Sequence, residues 1–162
     1  MQFTIRRAER GDLEALGRLG VLLIREHYAF DPKRFLAPMA GAEQGYGSFL
    51  GSVLRSDDGN VFVAEDERDR AILGYVYATL EPMSWMELRG PAGFIQDVVV
   101  AEHARRQRVA SALLERAIAW LHERNAPRVM LMTAAPNVAA QALFTRFGFR
   151  HTMLEMTREF PD

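Results

Sequence analysis

The chain has no cysteine. That excludes disulfides, thiol catalysis and thiolate metal sites, and it fits a reducing compartment. No apolar run approaches the roughly 20 residues of a membrane helix. The opening residues, MQFTIRRAERGD, lack the apolar core of a signal peptide. The expectation is a cytoplasmic protein with no membrane partner. Neither sign of charge dominates. With 20 Lys and Arg against 21 Asp and Glu the net charge is −1, so a nucleic-acid role would need a local basic patch. The four histidines, His27, His103, His122 and His151, are scattered without metal-site spacing, and no metal is expected. No internal repeat or low-complexity segment occurs, and 162 residues suit a single domain spanning 1–162.

What is present alternates between strand and helix patterns. Residues 2–8 alternate Phe3 and Ile5 against Thr4 and Arg6 and read as a strand. Asp12 follows Gly11 as a helix N-cap, and Leu13, Leu16, Leu19, Leu22 and Leu23 predict a helix to about Tyr28. Residues 32–45 form a Pro-, Gly- and Ala-rich connector, irregular or briefly helical. A second helix is predicted over 46–55 and a turn at 57–60. Strands at 61–65 and 72–80 form a hairpin, followed by a long loop over 81–92. The strand 94–100, the helix 108–124 and the short strand 128–133 follow. Pro136 and Asn137 open another helix that Gly148 closes. The tail, 152–160, alternates as a last strand. Three consecutive strands before a crossover helix imply an α/β (α+β) fold: one mixed sheet with helices on both faces.

The stretch from Phe94 to Ala112 is electrostatically odd. A strand feeds a helix start that carries Arg105, Arg106 and Arg108. That end of a helix exposes unpaired N–H groups and the positive pole of the macrodipole, so acidic residues belong there. Either the arginines form a solvated turn, or they join an anion, since a strand leading into a helix N-terminus is a phosphate cradle. A nucleic-acid module is a third reading, disfavoured because no aromatics interleave with the arginines.

Residues 100–114, VAEHARRQRVASALL, resemble the pyrophosphate loop of the GNAT superfamily of N-acetyltransferases. That loop reads roughly V-x-P-x-x-[QR]-x-x-G-x-[GA], then S-x-L-L. A second family motif, N-x-x-A-x-x-[LF]-[YF]-x-x-x-G-F, is matched by Asn137, Ala140, Leu143, Phe144, Gly148 and Phe149. Ile5, Arg6, Ala8 and Asp12 at the start, and Gly74 before Tyr75, also look like the family. The resemblance covers nearly the whole chain. It implies a mostly antiparallel mixed sheet with a V-shaped splay between the fourth and fifth strands. It implies acetyl-CoA as co-substrate, a small-molecule or peptide amine as acceptor, direct attack of the amine on the thioester, and no nucleic-acid partner. Homodimers are common in the family.

The resemblance assigns the cofactor to Val98, Val99 and Val100, which would pair with pantetheine amides, and to Arg105, Arg106, Gln107, Arg108, Val109, Ala110 and Ser111 around the pyrophosphate. Asn137 would hold the pantetheine arm, a role compatible with capping a helix. Two departures stand out. Arg108 occupies the family's glycine position. Phe144 stands where many relatives have a tyrosine, proposed as the acid that protonates the leaving thiolate. Catalytic candidates are Asp97 and Glu81 as proton acceptors, with Gln96 as a polar neighbour. Related polyamine and lysine acetyltransferases have a Glu-Asp pair where this chain has Gln96 and Asp97. Strand parity sets those two on opposite faces. Tyr75 and Tyr77 are core candidates that could also supply a hydroxyl near the splay, and His103 is a candidate cofactor contact. Trp85, Met83 and Met86 could wall the acceptor site, and Asp31, Glu65, Glu81 and Glu87 could attract a cationic amine. The loss of the tyrosine and the glutamate leaves a second reading open: an acyl-CoA-binding module or sensor without turnover.

Overall fold

The computed structural model describes residues 2–161. Its elements in chain order are β1 (Phe3–Arg7), α1 (Leu13–Phe30), α2 (Ala42–Val53), β2 (Gly59–Asp66), β3 (Ile72–Glu81), β4 (Ala92–Val100), α3 (Val109–Glu123), β5 (Val129–Leu131) and α4 (Val138–Arg146). The strands form one sheet in sequential order. β1 to β4 are antiparallel neighbours, and β5 joins β4 in parallel after the α3 crossover. This is the mixed, mostly antiparallel sheet that the sequence predicts.

Helices cover both faces. On one, Leu16 and Leu19 of α1 and Leu50 and Val53 of α2 pack against Val61, Val63, Tyr75 and Val99. On the other, Val109, Leu113, Leu114, Ala117 and Leu121 of α3 pack against Phe62, Ala64, Val76, Ala78 and Ile95. The α3 residues recur at helical spacing and the strand residues alternate, so each apolar stripe meets a matching face. Burying one such Leu or Val stabilises the fold by about 1.5–3 kcal/mol. α1 and α2 approach closely because glycines face each other across the seam. A Cβ on Gly20 would lie 2.2 Å from the Tyr46 ring.

Three expectations are corrected. The tail over 152–160 is not a strand: it is exposed and without regular secondary structure. Alternation gives a segment an apolar face, but a strand exists only beside a hydrogen-bonding neighbour. Asp12 does not cap α1. Its carboxylate accepts from the Glu9 backbone N–H at 2.7 Å and from the Arg6 guanidinium at 2.7 and 2.9 Å, tying the end of β1 to the start of the helix. α2 begins at Ala42, four residues before the predicted start, because Gly41 adopts a left-handed conformation (φ 77°) that turns the connector into the helix.

The sheet opens in the middle of β4. Its pairing with β5 ends at Ile95 opposite Leu131. Residues 96–100 have no strand on that side, which is the splay that the resemblance implies.

Candidate active site

The residue after the last β4–β5 pair is Gln96, and it is an extra one. On the β3 side Tyr77 pairs with Asp97 and Ala78 with Ile95, so Gln96 has no partner and forms a β-bulge. The bulge corrects the parity expectation. Ile95, Val98 and Val100 face α3, and Val99 faces α1 and α2. Gln96 and Asp97 therefore project to the same face, that of α1 and α2, rather than to opposite ones.

On that face they join different partners. Asp97 accepts hydrogen bonds from the Tyr46 hydroxyl at 2.5 Å and the Tyr75 hydroxyl at 3.1 Å. Burial pushes its carboxyl above the ordinary carboxylate range, against the opposing pull of those two hydroxyls and of His27. Burial and the adjacent Asp97 charge also raise both phenols, so they remain protonated donors. Gln96 donates through Nε2 to Thr79 Oγ1 at 3.0 Å and to Glu81 Oε1 at 3.3 Å, while the Thr79 hydroxyl donates to Glu81 at 2.7 Å. Glu81 thus belongs to a small polar cluster at the end of β3 and does not line the cleft that Gln96 and Asp97 share.

That cleft has a volume of about 430 Å³. Leu23, Ile24, Glu26 and His27 of α1 form one wall. Met132, Thr133, Asn137, Ala140 and Phe144 form the other, and Gln96, Asp97 and Val98 form the floor. Phe35 and Leu36 of the α1–α2 connector close the apolar end, where the His27 ring meets Phe35 edge-on at 4.9 Å. Asn137 caps α4, its Oδ1 accepting from the Ala140 N–H at 3.2 Å. The cap uses the side-chain oxygen and leaves the amide nitrogen as the outward donor. Phe144 packs against Phe149 and brings no hydroxyl to the cleft.

The α3 N-terminus follows β4 through residues 101–108. Arg106 (φ 60°) and Arg108 (φ 66°, ψ 7°) are both left-handed, and Arg108 is the residue from which the helix starts. The family's glycine position therefore keeps the backbone that glycine favours, with an arginine in it. Successive N–H groups in such a turn converge into an anion-binding concavity, here continued by the unpaired N–H groups of the first turn of α3. Arg106, Gln107 and Arg108 are exposed. Arg105 is engaged within the protein: it ion-pairs with Glu26 of α1 and donates from Nε to the Val100 carbonyl at 3.3 Å. His103 is exposed in a short 3-10 turn.

A left-handed residue with a side chain costs about 1–2 kcal/mol, and the extra unfolded-state freedom of glycine returns roughly 0.5–1 kcal/mol of that. Arg108→Gly is therefore expected to raise the unfolding free energy by up to about 1 kcal/mol in urea titration. A measured loss of stability would refute the strain.

Some sequence candidates lie elsewhere. Met83, Trp85 and Met86 are exposed on the loop after β3 and do not line the cleft. Leu23, Ile24, Phe35 and Leu36 provide its apolar surface instead. Glu65 is buried against Arg6 and Arg70, Glu87 pairs with Arg89, and Asp31 accepts from backbone N–H groups of its own turn. The acidic group at the cleft wall is Glu26. Sequence reasoning also missed Tyr46 as a partner of Asp97. Its one available signal was position, since Tyr46 lies one turn before Leu50 on the inward stripe of α2. Among the described residues, no group of three or more His, Asp or Glu side chains could hold a metal ion, and no helix is long and apolar enough to cross a membrane.

Comparison with known proteins assigns the chain to a family and a fold. Residues 22–149 match the model of the acetyltransferase (GNAT) family. Solved structures share the fold over nearly the whole chain. A mutant of the BH1408 protein from Bacillus halodurans superposes with a TM-score of 0.84 at 20% identity, covering 98% of this chain and 99% of that one. The apo aminoglycoside antibiotic 6'-N-acetyltransferase AAC(6')-IG from Acinetobacter haemolyticus gives 0.70 at 17% identity over 98% and 99%. AAC(6')-Iy, in complex with the bisubstrate analog CoA-S-monomethyl-acetylneamine, gives 0.72 at 18% identity over 100% of both chains. No curated protein sequence matches significantly. The chain belongs to the acetyltransferase (GNAT) family.

Proposed function

We propose that the chain transfers an acetyl group from acetyl-CoA to a primary amine of a small molecule or peptide. The observation that carries this reading is the placing of three features along β4 and its continuation, the first and third of them at the cleft. These are a strand edge open beyond Ile95, a left-handed loop leading into α3, and a carboxylate raised by burial on the floor. The residues fit the co-substrate. Val98 and Val100 offer backbone groups on the open edge to the amides of pantetheine, while Val99 between them turns its own toward Tyr75 of β3. Gln107, Val109, Ala110 and Ser111 offer backbone N–H groups to the pyrophosphate, with Arg105, Arg106 and Arg108 adding charge. Asn137 offers its amide nitrogen, and Phe144 an apolar contact.

When bound, acetyl-CoA supplies an acetyl group activated as a thioester. The chain supplies proton handling and orientation. An amine substrate arrives as an ammonium ion, and Asp97 accepts its proton directly or through water. The raised carboxyl makes Asp97 a stronger base than an ordinary aspartate. The Tyr46 and Tyr75 hydroxyls hold it in place and remain protonated themselves. Gln96 lines the cleft and orients the amine, and Glu81 acts on Gln96 as a positioning residue. Phe144 donates no proton, which slows the departure of a thiolate but does not prevent it, since a thiol has a pKa of about 8.5. Glu26 at the cleft wall is already paired with Arg105, so the acidic group left to face a cationic acceptor is Asp97.

The test is release of free thiol from acetyl-CoA over a panel of amines, peptides and, given the shared fold, aminoglycosides. Release with at least one acceptor is expected. Acetyl-CoA binding with no release on any acceptor would favour the sensor reading, which the missing hydroxyl at Phe144 also supports. Failure to bind acetyl-CoA would overturn both. Calorimetric titration locates the cradle: Arg105→Ala is expected to weaken acetyl-CoA binding by about tenfold, as loss of one charge-assisted contact would. Glu81→Ala is expected to change it little. The reverse order would show that the phosphate loop is misassigned.

A further inference from the structure

The acceptor end of the cleft carries apolar side chains that the fold does not need. Asn137 and Phe144 lie on the wall given to the co-substrate, so α1 and the connector after it are left to the amine. That side presents Leu23, Ile24, Phe35 and Leu36. Ile24, Phe35 and Leu36 belong to neither core cluster, and Leu36 is 70% exposed. Phe35 is nevertheless held in place. Its ring meets the His27 ring edge-on and has the Arg34 guanidinium over it, 5.0 Å from the centroid. Apolar side chains that serve no core, fixed at the wall of a cleft, are surface for a ligand.

The charges of the cleft are equally restricted. Besides Tyr46, its ionisable side chains are Glu26, His27, Arg34 and Asp97. Glu26 is tied to Arg105, and Arg34 to Glu155. His27 donates from Nδ1 to the Leu23 carbonyl at 3.0 Å and adds no negative charge. Asp97 has no cationic partner among the described residues. Both tyrosine hydroxyls reach the same oxygen, Oδ2, which leaves Oδ1 to accept from an ammonium group. We propose that the acceptor is a small monoamine with an apolar body, its one ammonium on Asp97 and its body against Phe35 and Leu36. This rests on the amine-acetylating reading above and narrows it. A polyamine or an aminoglycoside carries further ammonium groups. Here those would lie against apolar side chains, stripped of water and without partners, which is costly. A hydroxylated body would lose its hydrogen bonds to water in the same place, whereas an apolar body is driven there from water. The fold shared with an aminoglycoside 6'-N-acetyltransferase therefore comes with a different acceptor.

In thiol release, kcat/KM for benzylamine is expected to exceed that for ethanolamine, putrescine and neamine by about tenfold or more, the usual worth of one misplaced group in an apolar pocket. A lead for any of those three would overturn the proposal and leave acetyl transfer standing. Leucinamide sets an apolar body beside a peptide-type amide and is expected to fall below benzylamine. The reverse order would make the acceptor a peptide N-terminus and overturn the small-amine assignment. Leu36→Asp puts a second carboxylate at the apolar end. It is expected to move the ratio of benzylamine to putrescine about tenfold toward putrescine. Leu36→Ala, a milder change, is expected to lower kcat/KM for benzylamine by about tenfold and for ethanolamine by less. An unchanged ratio in either folded variant overturns the proposal. Calorimetric titration of benzylamine, with and without coenzyme A, reads the cleft without turnover. The expected signature is a negative heat-capacity change that Leu36→Asp reduces. If no amine releases thiol, the acetyl-transfer reading falls and the titration decides alone. Benzylamine binding with that signature keeps the preference of the cleft, and no binding, or tighter binding of putrescine, overturns it.

Discussion

Asp97→Asn is expected to lower kcat/KM for any accepted amine by about 10²- to 10⁴-fold, the usual worth of a general base. Asparagine has the same shape and still offers an oxygen to the Tyr46 and Tyr75 hydroxyls, so the geometry of the cleft survives and only the basicity is lost. The pH dependence separates this role from a structural one. Burial raises the folded-state value of Asp97 above that of the unfolded chain. Activity should therefore rise with pH as the carboxyl ionises through that raised value. Stability should run the other way. A carboxyl raised on folding binds its proton more tightly in the native state, so its contribution to stability falls as pH climbs from the unfolded value through the folded one. The asparagine variant should lose the acidic limb of the activity profile and, at neutral pH, be at least as stable as the parent in thermal unfolding. A variant that keeps the limb, or retains most activity, would remove Asp97 from the proton path.

Gly20→Val is expected to destabilise the protein by about 1–3 kcal/mol, the usual cost of overpacking a tight contact. An added Cβ at Gly20 would lie 2.2, 2.4 and 2.8 Å from the Tyr46 ring carbons. The near end of the ring, on Cγ, cannot swing aside without moving α2. Helix propensity pulls in the opposite direction, because glycine inside a helix is about 1 kcal/mol worse than alanine and valine recovers only part of that. The steric term should win. The functional effect follows from what Tyr46 holds: displacing its ring withdraws the 2.5 Å hydrogen bond from Asp97. Tyr46→Phe is the control, removing the hydroxyl without the clash. Both variants should move the acidic limb of the activity profile to higher pH, while only Gly20→Val should lower the denaturation midpoint substantially. Equal or greater stability of Gly20→Val would show that α1 and α2 part easily.

The parts of this molecule that sequence revealed are those fixed by local backbone demands. The loop at 100–114 and the helix start at Asn137 are short runs whose residue types follow from a turn, a cap and a close approach, so a resemblance to a family's motifs shows in them. Arg108 shows how far this goes: the side chain departs from the family pattern, yet the left-handed backbone is kept. What sequence concealed depends on distant partners or on counting. Tyr46 and Asp97 lie 51 positions apart, and nothing local in either segment announces the contact. The parity argument for Gln96 and Asp97 assumed a regular strand, and one unpaired residue defeated it. The tail kept its alternation, but alternation reports a face and says nothing of what lies against it.

Gln96 also has a meaning in chain length. Take it out, and every other residue of β4 keeps its side: Phe94 and Asp97 would alternate normally about Ile95, and Val98, Val99 and Val100 would not change face. The core would register no difference. What would vanish is the irregularity next to which β4 and β5 part. The polar pair on the cleft floor is therefore written as an insertion rather than as a residue type. A homologue one residue shorter at this point could preserve every core side chain and still lack the second polar side chain that this protein sets beside Asp97 on the floor of its cleft.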